Sequence, residues 1–185
     1  FMPSRLLPRS VMGLQNAMQD GKSKATTSPE HAIDPATMAR LNAFLPEYIA
    51  KIQEMEIALR NQTTATAEET EALNICRIFV SHYFQVLNLG IARGVYADKD
   101  RNYYGISVND SKVPSLGKEN EVIFWAEKII SGDAARLAAG GAPMTNPTAE
   151  EVSDKLAIYR AKRDVQSQKK DEYDNAQQAV GGMFE

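Results

Sequence analysis

The chain has 185 residues, of which 43% are hydrophobic and 24% charged, with a formal net charge of −3. This composition predicts one globular domain, or one domain with a tail, that is long enough to bury a hydrophobic core. Its 21 basic and 24 acidic residues are interspersed, so no basic block is available to bind a phosphate backbone, and we expect no nucleic acid partner. No apolar run approaches the roughly 20 residues that cross a bilayer, and we expect no membrane-spanning segment.

The single cysteine, Cys76, excludes an intramolecular disulfide and is consistent with a reducing compartment. The opening segment, Phe1 to Arg9, lacks a hydrophobic core of signal-peptide length. We therefore expect a cytoplasmic protein.

The first predicted element is a short helix. Ser10 is a suitable N-cap for a helix through Val11, Leu14 and Met18 that ends at Gly21, and a linker rich in Ser, Thr and Pro follows it. Residues 1–33 are therefore predicted to be an N-terminal arm, and residues 34–182 a helical bundle domain.

The second predicted element is a long helix over 36–60. Asp34 is a good N-cap and Pro35 suits the first helical position, while Pro46 predicts a kink. The residues Thr66-Ala67-Glu68-Glu69 have the pattern of a capping box, which predicts that a new helix begins there. A connection this short predicts an antiparallel hairpin between the 36–60 helix and the next one.

Residues 72–91 predict a helix that is apolar almost all round and must therefore be surrounded by other elements. We expect Tyr83 and Leu87, together with Phe79, to lie in the core. His82 is predicted to be a hydrogen-bonded core or subsurface histidine. One narrow polar stripe interrupts the apolar surface, formed by Asn74, Arg77, Ser81, Gln85 and Asn88.

The remaining elements complete an all-α bundle of about four main helices around the central 72–91 helix. Residues 95–118 form a long loop, in which the run 103–108 predicts a small β-hairpin. A third helix is predicted over 119–131, ended by Gly132, with a further short turn before Gly140-Gly141. Thr148 and Glu151 form a second capping box, which opens a last helix that runs to about Val180.

No metal or cofactor is expected. The alternating oxygen ligands of Asp98, Asp100 and Asn102 resemble the start of a calcium loop, but Tyr103 stands where that loop needs glycine and Asn109 where it needs glutamate. Neither histidine has a glutamate three residues before it, which disfavours a di-iron carboxylate bundle.

Two functions remain open. The first, which we favour, is a non-enzymatic helical interaction or scaffold module, because no nucleophile with a base is evident and the apolar pattern of the last helix is interrupted at Arg163, Gln166 and Lys170. This hypothesis predicts a protein partner, or self-association, through residues 163–180. The alternative is a small-ligand-binding protein or enzyme that uses the polar stripe, with the 95–118 loop as a lid. Its ligand-binding residues would be Arg77, Ser81, Gln85, Asn88, Tyr103 and Tyr104.

Overall fold

The computed structural model describes residues 10–28 and 33–184, and within them the chain is helical and contains no strand. The four α-helices are α1 (Val11–Thr27), α2 (Pro35–Ala92), α3 (Glu119–Ala138) and α4 (Ala149–Gly181), with 3₁₀ helices at Asp98–Tyr104 and Gly182–Phe184. The all-α prediction is confirmed. Parts of the predicted arm, residues 1–9 and 29–32 with His31, lie outside the described residues.

The predicted hairpin between a 36–60 helix and the 72–91 helix is wrong, because α2 is one helix of 58 residues that continues through both segments. Thr66 and Glu69 lie in its interior and cap nothing. The intervening Asn, Gln and Thr residues are weaker helix formers than Ala by less than about 0.7 kcal/mol each, whereas a break leaves four backbone donors and four acceptors without partners.

The structure confirms the other predicted N-caps. The Asp34 carboxylate accepts hydrogen bonds from the backbone N–H groups of Ala36 and Thr37 at 3.0 and 3.1 Å. Thr148 and Glu151 form a reciprocal capping box at 2.8 and 3.1 Å. The Ser10 hydroxyl caps α1, although this helix continues beyond Gly21 to Thr27.

Contacts within the chain define two compact units, to each of which α2 and α4 contribute a part. Unit 1 is formed by the described residues up to Gln62 and from Gln168 onward. Its core contains Tyr48, Ile52 and Val180, against which α1 packs. The Tyr48 hydroxyl donates a hydrogen bond to the carbonyl of Val11 at 3.3 Å, so the helix of the predicted arm is docked.

Unit 2 spans residues 63–167 and holds the larger core. Tyr83 and Leu87 are buried in it as predicted, and the α4 residues Val152 and Leu156 are also buried. Phe79 is only partly buried, with the Lys155 ammonium 5.1 Å from its ring centroid.

Unit 2 differs from the sequence prediction at two further places. The predicted β-hairpin is wrong, since Tyr103 and Tyr104 belong to the 3₁₀ helix, which ends at Gly105 in the left-handed conformation. The predicted end of the third helix at Gly132 is also wrong, since α3 continues to Ala138. Gly132 is needed there for another reason, because a β-carbon at this position would lie 2.6 Å from the carbonyl oxygen of Tyr103.

Candidate functional site

The predicted polar stripe of α2 faces the loop that precedes α3. Arg77 donates from Nε to the Leu116 carbonyl at 2.8 Å, and the Asn88 amide donates to the Ser111 carbonyl at 2.9 Å. Gln85 donates to the Ser81 hydroxyl at 3.0 Å. Two of these four side chains therefore hold the 95–118 loop against α2.

The other end of this loop is also held by Asn88. Its side-chain oxygen accepts a hydrogen bond from Arg101 Nε at 3.1 Å, while Arg101 Nη1 donates to the Val108 carbonyl at 2.8 Å. Asn88 thus bonds to residues on both sides of the loop. The stripe and the loop are brought together, as the lid hypothesis requires, but the polar groups of Arg77 and Asn88 are occupied by the loop backbone.

Tyr103 and Tyr104 point to different environments. Tyr103 is 37% exposed, whereas Tyr104 is fully buried. The Tyr104 hydroxyl lies 2.9 Å from the Tyr83 hydroxyl and 3.2 Å from Asp133 Oδ1. The structure therefore does not bring the two tyrosines to one surface with Arg77.

A buried polar cluster joins α2, the 3₁₀ helix and α3. Asp133 Oδ1 accepts hydrogen bonds from the Tyr83 hydroxyl at 2.8 Å and from Arg136 Nη2 at 2.7 Å. Arg136 Nε donates to the Tyr104 hydroxyl at 3.0 Å, and Nη1 donates to the Ala142 carbonyl. Because the two tyrosines and Arg136 are fully buried and Asp133 nearly so, the cluster is inaccessible to a ligand.

The electrostatics of this cluster favour its proton-bound forms. Burial raises the pKa of Tyr104 to about 12 and raises that of Tyr83 further, with the neighbouring hydroxyl and Asp133 adding to the shift of Tyr83. Burial opposes the charge on Arg136, but its hydrogen bonds to Asp133 and Tyr104 outweigh that effect and raise its pKa. Neutral tyrosines beside an arginine–carboxylate pair make a fixed hydrogen-bond network rather than an acid–base pair poised near neutral pH.

The carboxylates of the 3₁₀ helix bind protein donors. Asp98 pairs with Arg101 at 3.4 Å, and Asp100 accepts a hydrogen bond from the backbone N–H of Ala97 at 3.3 Å. Within residues 10–28 and 33–184, no three His, Cys, Asp or Glu side chains are grouped to hold a metal ion.

The most distinctive exposed feature is an apolar face of α2, which lies beside the polar stripe and away from the core. Ile75, Ile78 and Leu89 are 38%, 50% and 50% exposed, although they belong to the helix at the centre of the unit 2 core. His82 is also exposed, so the prediction that it lies in or just below the core is wrong. We call this surface the outer face of α2, and at 100° per residue its members fall within an arc of about 80°. They are Ile75, Ile78, His82, Val86 and Leu89; Val86 is partly buried against the unit 2 core, and the other four are exposed.

A shallow groove borders this face between α2 and α4. Its apolar lining includes Ala72, Ile75 and Ile158, and its volume is about 330 Å³. Lys162 spans the groove to reach Glu68 at 2.7 Å. The apolar surface is therefore shared by two helices and bordered by charge.

The distal part of α4, proposed from the sequence to bind a partner, is held within the chain at two points. In unit 1, Val180 is 3% exposed and packs in the core with Tyr48 and Ile52. In unit 2, Arg163 forms an ion pair with Glu119 at 2.9 Å. Partner binding through 163–180 stays a prediction, but Val180 does not need a partner to be buried.

Sequence reasoning missed both the buried cluster and the exposure of α2. Asp133 and Arg136 are three residues apart and share one helix face, a signal that is visible once α3 is continued past Gly132. No local signal shows that two tyrosines 21 residues apart meet there.

No protein-family model matches this sequence, and no curated protein or solved structure is significantly similar to it. Among the residues that the structure describes, one helix, α2, is long and apolar enough over 18 residues to cross a membrane by length and composition, a test that core helices of soluble proteins also pass. This finding does not support the expectation that no segment could span a membrane, and 28% of the window is buried within the chain.

Proposed function

We propose that this protein is a non-enzymatic helical interaction module that binds a protein partner through the outer face of α2. The observation that carries the proposal is the exposure of Ile75, Ile78 and Leu89 along one helix face. Apolar side chains at spacings of three and four residues are typical of surfaces that pack against another helix.

The accessible polar chemistry supports the same choice over the ligand-binding alternative. Arg77 and Asn88 hold the loop backbone, and Tyr104 lies in the buried cluster. A ligand would have to break these bonds before it could bind the polar stripe, whereas a partner helix could pack on the outer face of α2 without displacing any described side chain that bonds the loop.

A site-specific photocrosslinker tests the proposal. The full chain would be produced in cells with benzoylphenylalanine in place of Ile78, which is half exposed on the outer face of α2. The control carries it in place of Leu137, which is 42% exposed on α3. We expect a covalent protein adduct of defined mass from position 78 and none from position 137.

Two results would contradict the proposal. Equal adducts from both positions would show that exposure alone explains capture. Adducts to lipid and none to protein at position 78, with binding of the purified chain to phosphatidylcholine vesicles, would show that α2 binds a membrane instead.

A further inference from the structure

The outer face of α2 has an internal symmetry. Ile78 and Val86 lie four residues on either side of His82, and Ile75 and Leu89 lie seven residues on either side. When two copies of the helix pack antiparallel about a two-fold axis through His82, each apolar position of one copy therefore faces an apolar position of the other.

The charges at the two ends of the face have the same symmetry. Glu71 and Arg93 each lie eleven residues from His82, within the same arc of the helix. Arg93 follows the last residue of α2 but keeps the helical register, since its N–H donates to the Leu89 carbonyl at 3.1 Å. Both side chains are exposed, and neither forms an ion pair within 4.0 Å with another described residue, although Glu71 lines the groove that Lys155 and Lys162 also line.

An antiparallel arrangement is the one in which these charges complement each other. It brings Glu71 of one copy to Arg93 of the other at both ends, whereas a parallel pair would bring Glu71 to Glu71 and Arg93 to Arg93. Like charges face to face are destabilising, and opposite charges at the edge of an apolar contact fix register and orientation.

We propose that the partner of the outer face of α2 is a second copy of this chain, packed antiparallel about a two-fold axis through His82. This inference rests on the proposed function and specifies the partner. The face is about 21 Å long between Ile75 and Leu89 and one side chain or two wide, so it offers less area than a standard interface buries, and we expect a weak or transient dimer.

A charge-swap series with the purified full chain tests the register. Sedimentation equilibrium would give the dimer dissociation constant for the wild type, Glu71→Arg, Arg93→Glu and the double swap. Each single swap acts twice in a two-fold dimer, so we expect a dissociation constant raised by about threefold to tenfold, and restoration to within about twofold in the double swap. Ile78→Lys should raise it more than about tenfold, whereas Leu137→Lys on α3 should leave it unchanged.

Cysteine crosslinking tests the position of the axis. In this dimer, residue 82 of one copy lies next to residue 82 of the other, because the two-fold axis passes between them. His82→Cys should therefore form a disulfide-linked homodimer on mild oxidation. Ile75→Cys and Leu89→Cys should each remain monomeric and should form a mixed disulfide when combined. The native Cys76 is fully buried, and the wild type serves as the control without a crosslink.

The outcomes separate the two proposals. A monomer at all concentrations, or a dimer that the double swap does not restore and that crosslinks through Ile75→Cys alone, would overturn the two-fold dimer. If the position 78 photocrosslink then captured a different protein, the interaction module would stand with another partner. If it captured no protein, both would fail.

Discussion

Gly132 and Tyr103 are so close that a β-carbon on the glycine would lie 2.6 Å from the Tyr103 carbonyl oxygen. The same β-carbon would lie 2.7 Å from the ring of Tyr104. This contact lets the 3₁₀ helix rest directly on α3 and brings the Tyr104 hydroxyl to Asp133 and Arg136. The buried cluster therefore requires a residue without a side chain at position 132.

The first prediction is that Gly132→Ala destabilises the protein. In an unconstrained helix interior this change stabilises by about 0.5–1 kcal/mol, because alanine loses less backbone entropy on folding. At Gly132 the clash with backbone atoms reverses the sign, and we expect a loss of about 1–3 kcal/mol. The matched control is Gly21→Ala in α1, where a β-carbon meets nothing within 4 Å and should stabilise the helix. Urea unfolding followed by circular dichroism measures both, and a stabilised Gly132→Ala variant would contradict the close contact.

The second prediction compares two buried tyrosines. The Tyr83 hydroxyl donates to Asp133 at 2.8 Å, whereas no described group meets the buried Tyr159 hydroxyl at full hydrogen-bonding geometry. Glu119 lies close enough to add to the effect of burial in raising the pKa of Tyr159, but it does not complete a well-formed bond. Removal of a bonded hydroxyl costs about 1–2 kcal/mol, while removal of an unpaired buried one is neutral or stabilising. We therefore expect Tyr83→Phe to lower the free energy of unfolding and Tyr159→Phe to leave it unchanged or raise it. Equal losses in the two variants would show that only ring packing matters.

The third prediction concerns alkaline pH. An unfolded tyrosine has a pKa of about 10, whereas the folded chain raises the pKa of Tyr104 to about 12 and that of Tyr83 further. Above pH 10 the unfolded chain releases these protons and the folded chain keeps them. The stabilisation is therefore complete below pH 10 and falls as the pH rises toward 12, by up to about 1.4 kcal/mol per pH unit for each residue.

Urea unfolding at several pH values between 8 and 11 measures this slope. The double variant Tyr83→Phe/Tyr104→Phe should reduce this slope, and the part that is left comes from Tyr159, Tyr48 and Cys76, whose pKa values burial also raises. Tyr103→Phe, at a partly exposed side chain of the same segment, should not reduce it. An unchanged slope in the double variant would show that the two buried hydroxyls do not account for the alkaline loss.

The fourth prediction separates a structural from a ligand-binding role for the polar stripe. Because Asn88 bonds both Ser111 and Arg101, Asn88→Ala should release the loop and increase hydrogen exchange over residues 106–116. Gln85→Ala, one turn away and bonded only to Ser81 among the described residues, should leave that exchange unchanged. A loop that exchanges equally in both variants would mean that Asn88 does not hold it and is free to bind a ligand, as the ligand-binding alternative requires.

The sequence predicted local features of this fold better than distant ones. Asp34, Thr148 and Glu151 were assigned correctly because an N-cap bond joins residues only two or three positions apart. The same pattern at Thr66–Glu69 does not begin a helix, since the residues of a capping box also occur inside helices. The pattern itself does not show whether the preceding helix has ended. Local pattern therefore identified helix starts but could not decide which were used.

The site was less predictable because it depends on distant contacts. Tyr104 has strand propensity, yet bonds to Tyr83, Asp133 and Arg136 place it in a 3₁₀ helix. The 72–91 helix is predicted to be surrounded, yet Ile75 and Ile78 on it are exposed, because apolar character alone does not show on which side a helix lacks a neighbour. Exposure is a property of the whole packing and required the structure.

Because Cys76 is completely buried, the rate at which a thiol reagent labels it reports how often unit 2 opens. Its thiol is inaccessible, and burial raises its pKa to about 11, so a thiol reagent can react only when the surrounding helices separate. Since Cys76 is the one cysteine in the chain, all labelling occurs at this position, and no engineered probe is needed. Where reclosing is faster than labelling, the labelling rate follows the equilibrium population of the open form, and Gly132→Ala should accelerate it about tenfold for each 1.4 kcal/mol of stability that it removes.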